Sequence, residues 1–452
     1  MSVLITLLLT ALLATFAGFV MPSSEVRRVS GIGFALALVF LGVNWGEDQV
    51  LFNGLYVFDA FARGITLVVL LAALMAVLVG TRYLAATQAE RFEYYALLGY
   101  AVLGAHVIGA TTNLVVMLIG IEILSIPLYV LAGFRRDLES YEASVKYFLL
   151  GAAASGILFY GIVLHYGATG AFTVGAAGEG LLYFAAMALI LTGLGFKVAL
   201  VPFQWWTPDV YQGSPTPVTL FMASGVKAAA FAALARVLVG SGLEGPWGAL
   251  FALMVALTVL FGNLAALVQN EAKRVLAYSS IAHAGYAALA LLGPDAGPAL
   301  GYYLFAYAIS TGLAFGVLSV VDEGKGVPYG ALRGLLQRAP LLGVGWVFAM
   351  LSLAGIPPFV GFWAKYLVIL EAARGGAYGL VVFALLTSVV AAFYYLRLLA
   401  LAAFSAPASM EVPAARSGAR FALVVAAGLV VLLGLWAGLG FGLFANAAAL
   451  AP

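Results

Sequence analysis

The sequence predicts an all-α polytopic membrane protein of about 14 transmembrane helices. Three observations carry that prediction. Of 452 residues, 64% are hydrophobic and only 9% charged, against roughly 25% charged in ordinary soluble domains. The mean hydropathy is +1.10. Apolar stretches of span length also follow one another with short connections along the whole chain. A hydrocarbon core of about 30 Å needs roughly 20 helical residues. Such stretches fall at 3–21, 29–45, 57–80, 92–110, 112–133, 144–166, 181–203, 216–239, 247–268, 273–292, 298–321, 341–363, 376–403 and 421–443.

The first stretch, Met1 to Met21, lacks the basic leader and small-residue cleavage site of a signal peptide and reads as a retained first span. Basic residues then sort the connections by side. Arg27 and Arg28, Arg82 and Arg91, Arg135 and Arg136, Lys273 and Arg274, the group Lys325, Arg333 and Arg338, and Arg416 and Arg420 all fall in alternate connections. The intervening ones are nearly free of them: 46–56 carries Glu47 and Asp48, 167–180 only Glu179, and 293–297 only Asp295. By the positive-inside rule both termini face outward.

Two spans read as broken. Pro202 and Pro208 stand in and after the seventh, and Gly355, Pro357 and Pro358 interrupt the twelfth. Proline removes a helical hydrogen bond, and in a bilayer the freed carbonyls must face protein or a water-lined cavity. The breaks echo each other: Pro202-Phe203 is followed by Trp206, and Pro358-Phe359 by Trp363. Further on, Ser224-Gly-Val226-Lys-Ala228-Ala229 echoes Ser388-Val-Val390-Ala-Ala392-Phe393. A duplication pairing spans 4–8 with spans 9–13 accounts for this. Five is odd, so the copies are inverted. The expected organisation is three helices in 1–80, repeats in 92–239 and 247–403 with discontinuous helices 7 and 12, and a last helix in 421–443.

Composition excludes much chemistry. With no cysteine the chain has no thiolate ligand for iron–sulfur clusters, no disulfide and no thiol catalysis. His106, His165 and His283 lie too far apart for metal-ligand spacing, and a net charge of +2 speaks against nucleic acid. No segment is left for a soluble nucleotide-binding domain, so redox chemistry belongs to other chains.

What remains is buried charge. Glu122 lies in the middle of its span, near 15 Å from either surface at the helical rise. Lys197 lies just before the first break, Lys227 deep in an unbroken eighth span, and Lys365 just after the second break. A charge at mid-bilayer costs roughly 2.5–3.5 kcal/mol on insertion scales, so such residues are candidates for an ion path. The plainer alternatives are a neutral, hydrogen-bonded Glu122, structural ion pairing of Lys197 and Lys227, and a Lys365 that snorkels to the interface. Lys146 has Glu142 one turn before it, so a surface i,i+4 pair stands beside a proton-path role. His283, with Tyr278, Ser279, Ser280 and Tyr286 nearby, suits a proton relay or a satisfied helix contact equally. His106 and His165 read as structural.

At these residues the chain resembles a known family. The runs Trp206-Thr-Pro-Asp-Val-Tyr-Gln-Gly-Ser-Pro-Thr-Pro-Val218, Asn270-Glu-Ala-Lys-Arg-Val-Leu-Ala-Tyr-Ser-Ser-Ile-Ala-His-Ala-Gly285 and Leu353-Ala-Gly-Ile-Pro-Pro-Phe-Val-Gly-Phe-Trp-Ala-Lys365 resemble the antiporter-like subunits of respiratory complex I, the proton-translocating NADH–quinone oxidoreductase. The first run is most similar to the subunit N group. The resemblance implies proton transfer by Glu122, a Lys197 paired with it, a central Lys227 and an exit-side Lys365, with Lys146 and His283 as further path candidates. It implies no metal or cofactor in this chain; FMN, iron–sulfur clusters and quinone belong to partner subunits. Expected partners are other membrane subunits, the peripheral NADH-oxidising arm, the lipid bilayer of a bacterial inner membrane, protons and water. A subunit of a multi-chain cation/proton antiporter and a membrane scaffold without a proton path are the alternatives.

Overall fold

In a computed structural model, residues 1–176, 178–241, 246–409 and 411–447 are described, and they form an almost wholly helical bundle. Among the described residues, eleven helices are long and apolar enough to span a membrane. The other three predicted spans are the shorter helices Ser2–Ala17 and Phe92–Gly109, and the interrupted pair Pro340–Ala354 and Val360–Arg374. The acidic 46–56 connection is a small hairpin, in which Gln49–Leu51 pairs antiparallel with Tyr56–Phe58.

Helix starts follow local chemistry. Asp59 accepts from Ala62 N at 2.8 Å, and Asn113 accepts from Val115 N at 3.0 Å and Val116 N at 3.2 Å. Asp137 and Ser140 form a reciprocal capping box ahead of Leu138–Thr169. Each arrangement satisfies N–H groups that a helix start leaves without partners. Burial pushes the Asp137 carboxyl up, but the Arg135 guanidinium and the Ser140 N–H outweigh it and hold the carboxyl below its ordinary range.

The layers differ in what they face. Thr216–Gly240, Ala272–Leu292 and Ala296–Val321 are buried over 100, 89 and 94% of their apolar windows, whereas Ser23–Val43 and Tyr378–Phe404 reach only 28%. The first three are the core; the latter present leucine, valine and phenylalanine outward, as a lipid-facing helix does. Polar groups in the core have only protein to bond with, so the candidate residues on these helices must find partners there.

Both predicted breaks are present and share one backbone design. Gly180–Val198 ends on Ala199 at φ 66°, and Pro340–Ala354 ends on Gly355 at φ 83°. Each cap bonds three residues back and the next residue five back: Ala199 N to Phe196 O and Leu200 N to Gly195 O, against Gly355 N to Ser352 O and Ile356 N to Leu351 O. This is the left-handed closure that satisfies terminal carbonyls. A cis peptide comes next in each case, Val201-Pro202 and Pro357-Pro358.

The eighth span is unbroken, Thr216–Gly240, but it is not regular: between Thr216–Phe221 and Lys227–Ser241 lies a π turn, Met222–Val226, ending just before Lys227. Such a turn inserts a residue into the hydrogen-bond ladder and rotates the downstream helix about its axis.

Candidate proton-transfer site

Ala272–Leu289 organises the site. Ser280, His283 and Tyr286 are three residues apart and therefore share one face of this helix. Lys227, redirected by the π turn, donates to the carbonyl and hydroxyl oxygens of Ser280 at 2.6 and 2.5 Å. One turn further, the two ring nitrogens of His283 lie 2.6 Å from Tyr303 Oη and 3.1 Å from Tyr395 Oη, and Tyr395 is hydrogen-bonded to Ser279. Another turn on, Tyr286 Oη meets Asn263 Nδ2 at 3.1 Å and Thr387 Oγ1 at 3.2 Å. The ammonium of Lys365 stands 5.0 Å from the Tyr286 ring centroid. It donates to Ala354 O at 2.9 Å and Ser388 Oγ at 3.2 Å.

Lys227, His283 and Lys365 are thus brought onto one buried polar row, and Lys365 does not snorkel. No carboxylate balances the two lysines: among the described residues neither forms an ion pair. An ammonium held only by neutral oxygens and an aromatic face can give up its proton without leaving a partner charge stranded. A neutral imidazole between two phenols is satisfied in either tautomer, since each hydroxyl both donates and accepts. That suits a relay.

The first cluster is separate. Lys197 donates to Ser125 Oγ at 3.0 Å and Tyr129 Oη at 3.3 Å, and stands 5.8 Å from the Tyr129 ring centroid. Glu122, Ser125 and Tyr129 line one face of Leu114–Ala132. The expected Glu122–Lys197 ion pair does not form as a direct contact of 4.0 Å or less. The two serine and tyrosine hydroxyls lie closer to the ammonium, and Glu122 Oε1 is buried with no hydrogen-bond partner.

Lys146 lies apart from both clusters. The expected Glu142 pair is present at 2.6 Å, but Asp209 binds the same ammonium at 2.8 Å and also takes Arg274 at 2.9 Å. Glu139, Glu142, Gln212 and Arg274 line a cavity of about 180 Å³ beside them. His106 is fully buried between Tyr56 at 3.1 Å and Thr66 at 3.0 Å, and His165 meets Ala171 O at 3.2 Å. Pro202, Pro357 and Pro358 lie exposed on the bundle's outer side. No cluster of metal-ligating side chains occurs among the described residues.

Two ion pairs, one fully buried and one part-buried, are not foreseen by the sequence. Lys273, which reads as a loop base, is fully buried 3.7 Å from an equally buried Asp322, donates to Ser214 O at 2.9 Å, and leaves Asp322 to accept from Thr216 at 2.6 Å. Arg236 donates to both oxygens of Asp59 at 2.9 Å. Arg236 was findable as a charge inside an apolar span; Lys273 was not, because it adjoins Arg274 at a span end.

The architecture defines a class: a multi-pass helical bundle with two proline breaks and buried lysines on a polar core. The model of the NADH:quinone oxidoreductase/Mrp antiporter transmembrane family matches residues 111–391. NADH-quinone oxidoreductase subunit 14 of Thermus thermophilus is 52% identical over 94% of this chain and 95% of its own. Subunit N of that enzyme in Deinococcus radiodurans is 39% identical over 97 and 94%. A chain of Thermus thermophilus respiratory complex I, solved with bound aureothin, superposes with a TM-score of 0.89, at 49% identity and 99% coverage of both chains. The chain belongs to the antiporter-like membrane subunits of NADH–quinone oxidoreductase, in the subunit N group.

Proposed function

We propose that this chain translocates protons across a bacterial inner membrane as a non-redox subunit of NADH–quinone oxidoreductase, driven by quinone reduction in partner subunits. The observation that carries the reading is the buried row Lys227, Ser280, His283, Tyr286 and Lys365 along one core helix. In this reading Lys227 is the central switch. It holds a proton on Ser280 and yields it when a neighbouring cation approaches, because like charge lowers an ammonium's proton affinity. His283 and its phenols pass the proton to Lys365. Glu122 and Lys197 modulate from the first cluster, and Lys146 with Asp209 forms an entry. The matching design of the two breaks supports inverted repeats at 92–239 and 247–403. The alternating basic connections support outward-facing termini. Quinone, FMN, iron–sulfur clusters and the NADH-oxidising arm belong to the partners.

The test uses the assembled complex in vesicles, with quinone reduction followed alongside proton uptake. Lys227→Ala is expected to abolish this subunit's share of pumping. Lys227→Arg, which keeps the charge but cannot release a proton in a usable range, fails equally. Wild-type proton-to-electron ratios in Lys227→Arg would make the residue a fixed charge. Proton flux driven by a sodium gradient without quinone reduction would assign cation/proton antiport instead.

A further inference from the structure

Away from the lysine row, Ser23–Val43, Ala60–Ala86 and Ser417–Leu435 meet at the bundle's flank. A cavity of about 420 Å³ opens there between Arg27, Arg28, Arg416, Thr81 and Ser417. Directly below it, sharing Leu78, runs an apolar slot of about 160 Å³ whose walls include Val68, Met75, Phe421, Val425 and Leu429.

We propose that these two spaces form one binding site for an anionic phospholipid, its phosphate among the arginines and one acyl chain in the slot. Charge and depth both point to that occupant. Arg27 is paired with Glu90, and Arg28 with Glu25 at 2.8 Å. Arg416 donates only to the carbonyl of Thr81, at 3.2 Å, and forms no ion pair among the described residues. The mouth therefore holds three guanidiniums against two carboxylates, and the uncompensated one lies directly over the slot. The Ser417 hydroxyl adds a donor suited to phosphate oxygens, whereas the Thr81 hydroxyl donates to Leu78 O at 3.4 Å.

The slot has one-leaflet depth. From Val68 to Leu78 is ten helical rises, about 15 Å of helix, half of a hydrocarbon core of about 30 Å. A helix of another subunit would need a groove running the full thickness and about 10 Å wide. The arginines belong to the basic connections, the side on which anionic lipids attract basic residues. The site shares no residue with the lysine row, so it stands or falls independently of proton transfer.

The experiment is photolabelling of the detergent-purified complex in nanodiscs of phosphatidylcholine. Each sample contains a small fraction of phosphatidylglycerol or phosphatidylcholine bearing a diazirine on one acyl chain, and adducts are mapped by mass spectrometry. The phosphatidylglycerol probe should label peptides covering 68–78 and 421–429 about fivefold more than its zwitterionic counterpart, the factor expected for one basic side chain at an anionic head. Arg416→Gln should erase that preference and Arg416→Lys retain it. Ala426→Leu, which fills the slot without changing charge, should remove labelling by both probes. Equal labelling by the two probes in the wild type, an unchanged preference in Arg416→Gln, competition by inorganic phosphate, or absence of adducts because protein covers the slot would each overturn the proposal.

Discussion

The two broken helices share a backbone but not a use for it. At the first, the left-handed cap is Ala199 and the lysine precedes it, reaching away to Ser125 and Tyr129 on another helix. At the second, the cap is Gly355 and the lysine comes after it, folding back so that Lys365 occupies the space a side chain at the cap would need. A Cβ built on Gly355 would lie 2.8 Å from Lys365 Cδ. The groups freed by each break are caught differently. Val201 N bonds to Thr258 Oγ1 at 2.9 Å and Phe196 O to the Trp206 indole at 3.0 Å, whereas Ala354 O is caught by Lys365 itself. One break therefore positions a lysine toward a neighbour, and the other is held together by its lysine. A candidate proton-path residue can also be the side chain that closes its own helix break.

The largest effect is expected at the caps. Gly355→Val combines left-handed strain with overlap of Lys365, and should cost about 3 kcal/mol or more, read as loss of thermal stability of the purified complex. Ala199→Gly should stay within about 1 kcal/mol, because glycine tolerates φ 66°. Equal effects at both would mean that Lys365 does not fill the second cap.

Next come the lysines. Lys365→Met leaves Ala354 O unpaired inside the break and should destabilise by about 1–3 kcal/mol, with pumping lost. Lys197→Met frees only two hydroxyls, which can turn to helix carbonyls, and should cost under about 1 kcal/mol while still impairing pumping. Comparable melting shifts for the two would dissolve the distinction.

The smallest effect concerns water. In a chain without native cysteine, thiols introduced as Val201→Cys and Ile356→Cys should react with small water-soluble reagents if the breaks are hydrated. Thr258→Val removes the acceptor for the amide at position 201 only, so it should raise reactivity at 201 and leave 356 unchanged. Inert thiols at both positions would mark the breaks as dry kinks.

The breaks were legible because proline at those positions admits few alternatives, and the spans because a bilayer demands length and apolarity. Lys227, His283 and Lys365 were each visible as polar residues in apolar surroundings. That they converge was not: they come from three stretches more than fifty residues apart, and only packing around one core helix brings Lys227 to Ser280. The absence of a direct Glu122–Lys197 contact was equally invisible, since it depends on which hydroxyl lies nearest the ammonium. Lys273 shows the limit from the other side, because its neighbour Arg274 faces a surface cavity while it is itself sealed against Asp322.

Composition, period and proline placement thus determined by themselves that this chain crosses the membrane repeatedly, where two helices are interrupted, and that Glu122, Lys197, Lys227 and Lys365 stand within apolar spans. Each arises from a local demand of the bilayer on a single stretch of sequence. Tertiary structure decided which buried charges gather along one core helix, which pair with carboxylates, and which lysine closes its own helix break. Those outcomes depend on distances of a few ångströms between helices remote in sequence, where burial removes water as the competing partner.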